Sequence, residues 1–389
     1  MNTVENNSAG QSTVGADGIE VIPAVKDGEV KVSVIIPIFN EGKFLSQTLE
    51  CVTNQTLREI EIICVDDGST DNSLEILKNH QKRDERVRIV TETNAGPGLA
   101  RNNGIRRVRG EFMAFLDADD FFEPNLLEEL YNVALKDNLD IAIADYNVYN
   151  SVNDSYEKVA PCEHGDIYAE GKVTSKSEYP DYIFSSTNGA AWNKLFRTSF
   201  VVDKNLQFLP DVKLYEDVYF LITALSLAER IGKVSKTLIH HRVYSEQSRA
   251  KNFRTYYYQI PEIYLQLKQF LMHHGLYAPL SYSFRNLTAS RCYKLFNLLD
   301  ADAKEALWNM LYNEQAEALD WVGLSIEDFE ERDVFEFVAH VEMYDYKQYE
   351  KRREKGLVLP LENIEPLQKS ASARKKARTF IGKIFRKKK

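Results

Sequence analysis

Short apolar runs, each broken by a polar turn cluster, recur along the first third of the chain. Residues 32–37 (Val-Ser-Val-Ile-Ile-Pro) read as a first strand, and Asn40-Glu41 opens a helix. Residues 60–65 read as a second strand that ends abruptly in Asp66-Asp67-Gly68-Ser69-Thr70-Asp71. Residues 86–90 form a short third strand. Asn94-Ala95-Gly96-Pro97-Gly98 is then a turn that opens a helix through Arg101-Asn102-Asn103-Gly104. Residues 112–116 and 140–145 supply two more strands, and a helix starts near Pro124. Strands alternating with helical stretches predict a Rossmann-like α/β fold, a mainly parallel sheet between helices. Polar turns at successive strand ends would line one edge of that sheet and build one pocket. Residues 150–180 mix Asp, Ser, Glu, Gly and Tyr and read as loops with short strands. From about residue 255 the apolar spacing becomes helical, as in Ile263, Tyr264, Leu267, Phe270 and Leu271. Residues 303–319 and 334–346 continue it, and no internal repeat is visible.

The run Phe115-Leu116-Asp117-Ala118-Asp119-Asp120 carries the most chemistry. Its three carboxylates crowd the end of a buried strand, where open α/β sheets bind ligands. On an extended chain Asp117 and Asp119 face the same side. Two carboxylates at one point repel unless a cation neutralises them. Oxygen ligands with no adjacent Cys or His suit Mg²⁺ or Mn²⁺ carried with phosphates. The plainer alternative is a solvated acidic loop capping the next helix.

These segments resemble the family 2 glycosyltransferases, inverting enzymes with the GT-A nucleotide-sugar fold. The resemblance is carried by Pro37-Ile38-Phe39-Asn40-Glu41, Val65-Asp66-Asp67-Gly68-Ser69-Thr70-Asp71, Asn94-Ala95-Gly96-Pro97, Ala100-Arg101-Asn102-Asn103-Gly104, Gly110-Glu111-Phe112 and Leu116-Asp117-Ala118-Asp119-Asp120. It is specific over residues 31–125. It continues more weakly to about 250 through Trp192-Asn193-Lys194-Leu195 and Tyr215-Glu216-Asp217. It implies a UDP-sugar donor. Asp67 then accepts the imide N–H of uracil, or else it or Asp66 caps the following helix. Pro37 and Glu41, at the first strand end, wall the base and ribose. Arg101 reaches the base or diphosphate. Asp119 leads as ligand of Mn²⁺ or Mg²⁺, Asp117 contacts the ribose and supports the metal, and Asp120 caps or orients. Asp217 becomes the general base, with Glu216 second or on the acceptor. Two acids at a helix start are also ordinary dipole partners.

Other features stay open between two readings. Gly96-Pro97-Gly98-Leu99-Ala100-Arg101 mimics a dinucleotide fingerprint, but Arg101 stands where the third Gly must be small. No lysine phosphate loop is present, so a metal rather than a glycine cradle would hold the phosphates. Trp192 either stacks on a sugar or sits in the core; Lys194 either meets a phosphate or is a surface cation. His241 is a candidate third metal ligand or, like His240, structural. Arg242-Val243-Tyr244-Ser245 puts Tyr where related enzymes carry a His.

Composition narrows the partners. The 389-residue chain is 44% hydrophobic with 21 Tyr and 20 Phe, enough for a full core. Its net charge is −9, yet nine of the 49 basic residues fall in 372–389, leaving an acidic body that argues against nucleic acid. Cys51, Cys64, Cys162 and Cys292 show no paired spacing and read as free thiols. Neither a signal peptide nor a membrane-spanning run is visible. In the tail, Phe380 with Ile384 and Ile381 with Phe385 share one helical face amid Lys and Arg, which suits an anionic membrane surface. A solvated tail, or one bound to an acidic partner, is the alternative.

The expected organisation is a disordered leader (1–30) and a GT-A domain (31–250), split into a nucleotide-sugar half (31–125) and an acceptor half (126–250). A helical domain (251–368) and a basic amphipathic tail (369–389) follow. The expected activity is metal-dependent inverting transfer from a UDP-sugar to a glycan, lipid-linked or protein-linked acceptor. The setting implied is bacterial surface glycan assembly, on the cytoplasmic side and peripheral to the membrane, with a homo-oligomer possible. A sugar nucleotidyltransferase and a non-catalytic scaffold subunit are the rival readings.

Overall fold

The structure is a computed structural model and describes residues 13–14, 20–159, 162, 164–243 and 254–356. The chain divides into two compact units, residues 1–179 with 186–245, and residues 180–185 with 246–389.

In the first unit, β1 (Val32–Ile38), β2 (Ile60–Asp66), β3 (Val87–Thr91) and β4 (Phe112–Phe115) are the first four predicted strands. They lie in the order β3-β2-β1-β4, all parallel. Every residue of β2 is buried. A strand covered on both faces shows a continuous apolar run rather than alternation. α1 (Leu45–Thr53), α2 (Ser73–Gln81) and α3 (Pro97–Ile105) make the crossovers. Leu45, Leu49 and Val52 of α1 enter the core at helical spacing. α3 lies close against β1: a Cβ on Gly104 would stand 2.3 Å from Ile35 Cγ2.

α1 starts later than the sequence suggested. Asn40 takes a left-handed φ of 57°. Its side chain accepts the Thr70 N–H at 2.8 Å. The chain therefore first turns to join the loop after β2, and only then winds into helix.

Also in this unit are β5 (Phe121–Phe122), α4 (Leu126–Lys136), β6 (Ile141–Asn150), β7 (Ser155–Lys158), β8 (Lys194–Arg197), α5 (Thr198–Asp203), α6 (Glu216–Leu227) and β9 (Ile231–Val243). The sheet continues β4-β8-β6-β9-β5, with β7 on β6. β6 and β9 are parallel, but β8 runs antiparallel to both β4 and β6. The sheet is thus parallel in its first half and mixed beyond. β8 enters from a loop rather than a crossover helix, which an antiparallel strand permits. Part of the expected leader is built in. Ile22 N donates to Arg83 O at 2.9 Å, Glu85 N donates to Ile22 O at 2.7 Å, and Val30 is buried.

The second unit is helical, as the spacing predicted. It contains α7 (Gln259–His273), α8 (Tyr277–Leu298), α9 (Ala301–Met310), a π turn (Leu311–Gln315), α10 (Arg332–Met343) and α11 (Tyr346–Glu354). Its core holds Trp308 and Trp321, both fully buried. Their indole N–H groups donate to Tyr344 O at 3.0 Å and Thr288 Oγ1 at 3.2 Å, as buried indoles require. None of the four cysteines forms a disulfide with another. Among the described residues no helix is long and apolar enough to cross a membrane. The basic tail, Tyr244 and Ser245 lie outside the described residues.

Candidate active site

The loops after β1, β2 and β4 meet at the carboxyl edge of the parallel strands. The first two are zipped together by short polar side chains. Ser69 Oγ accepts from Asn40 N at 3.0 Å, Ser73 Oγ from Glu41 N at 3.0 Å, and Asp71 Oδ2 from Gly42 N at 2.9 Å. Asp67 is buried, and its two oxygens accept the N–H groups of Ala95 at 2.7 Å and Gly96 at 2.8 Å. It therefore staples the loop after β2 to the turn that opens α3. That turn needs its glycine, because Gly96 has φ 99°. Pro37 is half-buried in β1, in register with Val65.

Asp117, Asp119 and Asp120 place carboxylate oxygens within 4.8 Å of one another, a group able to hold a metal ion. Thr48 Oγ1 fixes their loop by donating to Ala118 O at 2.8 Å and Asp120 O at 2.7 Å. Asp120 is fully buried and accepts from Arg242 N at 2.8 Å and from His241 Nδ1 at 3.1 Å. Burial pushes its pKa up to about 6 against the His241 hydrogen bond. Burial disfavours the charged form of His241, but its bond to Asp120 outweighs that and raises its pKa. His241 thus stands behind Asp120 and outside the three-aspartate group. Glu41 completes the acidic wall. Burial, then the charges of Asp119, Asp117, Asp71 and Asp120, raise its pKa to about 7. So many mutually repelling acids on oxygen ligands fit a hard divalent cation.

Arg101 joins this wall to the second acidic pair. Its guanidinium is 4% exposed and pairs with Asp117 at 2.8 Å, Glu216 at 3.1 Å and Asp217 at 3.1 Å. The three carboxylates hold its pKa above the usual range despite burial. Glu216 and Asp217 begin α6, directly after Tyr215, whose φ of 60° is unusual for an aromatic residue and aims the helix start. Burial raises the Asp217 and Glu216 pKa values against the pull of Arg101. Asp217 Oδ2 also accepts from Ala191 N at 3.0 Å.

Eight residues singled out in the sequence converge here: Glu41, Arg101, Asp117, Asp119, Asp120, Glu216, Asp217 and His241. Of two others left open between readings, Trp192 takes the core reading and Lys194 takes neither of its two. Trp192 is buried, stacks on His241 at 4.9 Å and meets Tyr146 edge-on at 4.7 Å, so it packs in the core. Lys194 is 1% exposed and, among the described residues, its ammonium bonds to the loop before it, so it is neither a surface cation nor a phosphate ligand. Arg242 went unnoticed as a site residue. It donates to Asp119 O at 2.7 Å and Gln47 Oε1 at 2.6 Å, and lies over the rings of Phe44, Phe121 and Tyr149. Its signal lay in the run Arg242-Val243-Tyr244-Ser245, which drew notice only for the Tyr at its third position.

The fold is the α/β architecture of the GT-A class. Residues 33–196 match the model of Glycosyl transferase family 2. EpsH of Bacillus subtilis, named as a glycosyltransferase, is 32% identical over 216 residues, 55% of this chain and 61% of its own. The poly(ribitol-phosphate) beta-glucosyltransferase of Bacillus spizizenii is 31% identical over 208 residues, 52% of this chain and 31% of its own. This chain thus spans about three fifths of EpsH and a third of the other. The crystal structure of S. aureus TarS 1-349 with UDP-GlcNAc superposes with TM-score 0.51 at 19% identity, covering 84% of this chain and 92% of that one.

Proposed function

We propose that the protein is a metal-dependent inverting glycosyltransferase that moves a sugar from a UDP-sugar to a hydroxyl of a surface glycan, lipid-linked or protein-linked acceptor. The observation that supports it most is Arg101. One buried guanidinium gathers Asp117 from the metal loop and Asp217 from α6 into a single pocket. Asp119 and Asp117 would hold Mn²⁺ or Mg²⁺, and the chemistry a bound cation supplies is stabilisation of charge on the departing diphosphate. Asp67 and Pro37 would face the base, with Asp67 keeping lone pairs beyond its two backbone bonds. Asp217, with a pKa raised by burial, takes the proton of the attacking hydroxyl. That oxygen bonds to the anomeric carbon on the face opposite the leaving group. The bond to UDP breaks with its electron pair, and the sugar inverts. Glu216 would orient the acceptor.

The nine cations of residues 372–389 would hold the enzyme at an anionic membrane face, where each contributes about 1 kcal/mol near the surface. Structural neighbours bind UDP and UDP-GlcNAc, and a relative is named for poly(ribitol-phosphate), which supports this donor class and a surface polymer acceptor.

A panel of UDP-sugars with Mn²⁺, read by thermal shift and UDP release, tests the proposal. A donor at 100 times its Kd stabilises by about 2.7 kcal/mol. Neither stabilisation nor UDP release with any member would leave a scaffold subunit as the better reading.

A further inference from the structure

Lys194 opens β8 at the end of the loop 188–193, and it is among the most deeply buried large side chains of the protein. Its ammonium donates to Asn188 Oδ1 at 2.8 Å, Ala190 O at 2.7 Å and Asn193 Oδ1 at 2.7 Å, with Asn188 O further off at 3.4 Å. Three short bonds saturate its three protons. The loop is therefore wound around one cation. Burying an ammonium is costly, and here burial lowers its pKa to about 7 while the charges of Cys162 and Asp217 oppose the fall. An apolar side chain would fill the space without that cost, but it would take the donor from the acceptors on Asn188, Ala190 and Asn193.

The other side of the loop faces the chemistry. Ala191 N donates to Asp217 Oδ2 at 3.0 Å. The next residue, Trp192, stacks on His241 with ring planes 12° apart, and His241 holds Asp120 at 3.1 Å. One loop thus touches the proposed base through its backbone and reaches Asp120 of the metal loop by way of the His241 ring.

We infer that Lys194 is a positioning residue: by closing the loop 188–193 it sets the Ala191 N–H that orients Asp217 and the Trp192 ring that braces His241. The inference rests on the assignment of Asp217 as base. A misplacement of about 1 Å at a reacting group costs on the order of 100-fold in rate. Lys194→Met should therefore lower kcat by roughly 10- to 100-fold while the donor KM and UDP affinity with Mn²⁺ stay within about threefold. Lys194→Arg, too bulky for the enclosed site, should not restore the rate.

The full chain is assayed for UDP release from UDP-GlcNAc and UDP-glucose with Mn²⁺, per UDP-binding site. Asn188→Ala, which removes one ammonium partner, gives a milder form should Lys194→Met fold poorly. Lys194→Met added to Asp217→Asn should cost little more than Asp217→Asn alone, because groups acting as one unit are not additive. Hydrogen exchange of peptides covering 186–193 gives a second readout that needs no turnover, and exchange should quicken in both loop variants. Unchanged kcat in Lys194→Met, a fully additive double variant, or unchanged exchange in both loop variants would each overturn the inference. Asp217→Asn at wild-type rate would instead overturn the base assignment, with the loop exchange still reporting on Lys194.

Discussion

Glu41→Gln removes one charge from the acidic wall and should stabilise the metal-free protein only where that charge exists. Burial first, then Asp119, Asp117, Asp71 and Asp120, raise Glu41 from an ordinary 4.5 to about 7. The folded protein holds this proton more tightly than the unfolded chain does. Unfolding therefore releases a proton between those values, and stability falls as pH rises from about 4.5 to about 7. At 1.36 kcal/mol per pKa unit the whole difference is about 3.4 kcal/mol. Glu41 is partly open to solvent, so screening leaves roughly 1.5–2 kcal/mol. An uncharged amide at this position has no such dependence, and the backbone bond from residue 41 N to Ser73 Oγ is unaffected by the change. In EDTA the variant should match the wild type at pH 4.5 and melt roughly 3–8 °C higher at pH 8, the scaling for a unit of about 240 residues. Adding Mn²⁺ at pH 8 should raise the wild type more than the variant, since the cation supplies the missing countercharge. Differential scanning fluorimetry at the two pH values decides it. An equal offset between the two proteins at pH 4.5 and pH 8 would refute the reasoning.

Three further substitutions separate the parts of the pocket. Asp119→Ala should abolish Mn²⁺-dependent UDP binding, read by calorimetry, with little loss of melting temperature; activity that survives in EDTA would remove the metal from the scheme. Asp217→Asn should leave UDP affinity within a few fold and cut transfer by about two or more orders of magnitude, the scale of a lost general base. Equal losses in binding and rate would move Asp217 into the donor pocket. Truncation after Gln368 should end binding to anionic liposomes but spare UDP release, and vesicle binding insensitive to truncation or salt would eliminate the membrane role.

The parallel strands and acidic turns were legible because they are local. Buried strands announce themselves as apolar runs, and a carboxylate cluster is contiguous in residues 117–120. The partners of those carboxylates were harder to read. Arg101 meets Glu216 across 115 positions, and nothing in the neighbourhood of either residue encodes that contact. Lys194 misled for a related reason. A lysine in a sequence looks like a surface cation, and only the fold supplies the three loop oxygens that let it be buried. Asn40 shows the same limit on a smaller scale. Its left-handed turn, and with it the late start of α1, depends on Thr70 thirty residues away. The antiparallel entry of β8 has no local signature either, since direction follows from where the preceding loop delivers the chain.

Arg101 has a consequence for inheritance. A single buried cation answers for Asp117, Glu216 and Asp217, which lie in two distant stretches of the gene. Losing one member of a buried ion pair costs about 3–5 kcal/mol, whereas replacing all members together can be neutral. A lineage could therefore not drift at position 101 alone. Loss of the arginine would have to arrive with loss of an acid, and loss of an acid would retire either the proposed metal loop or the proposed base. The four codons form one heritable unit, so descendants should keep the whole set or abandon it together.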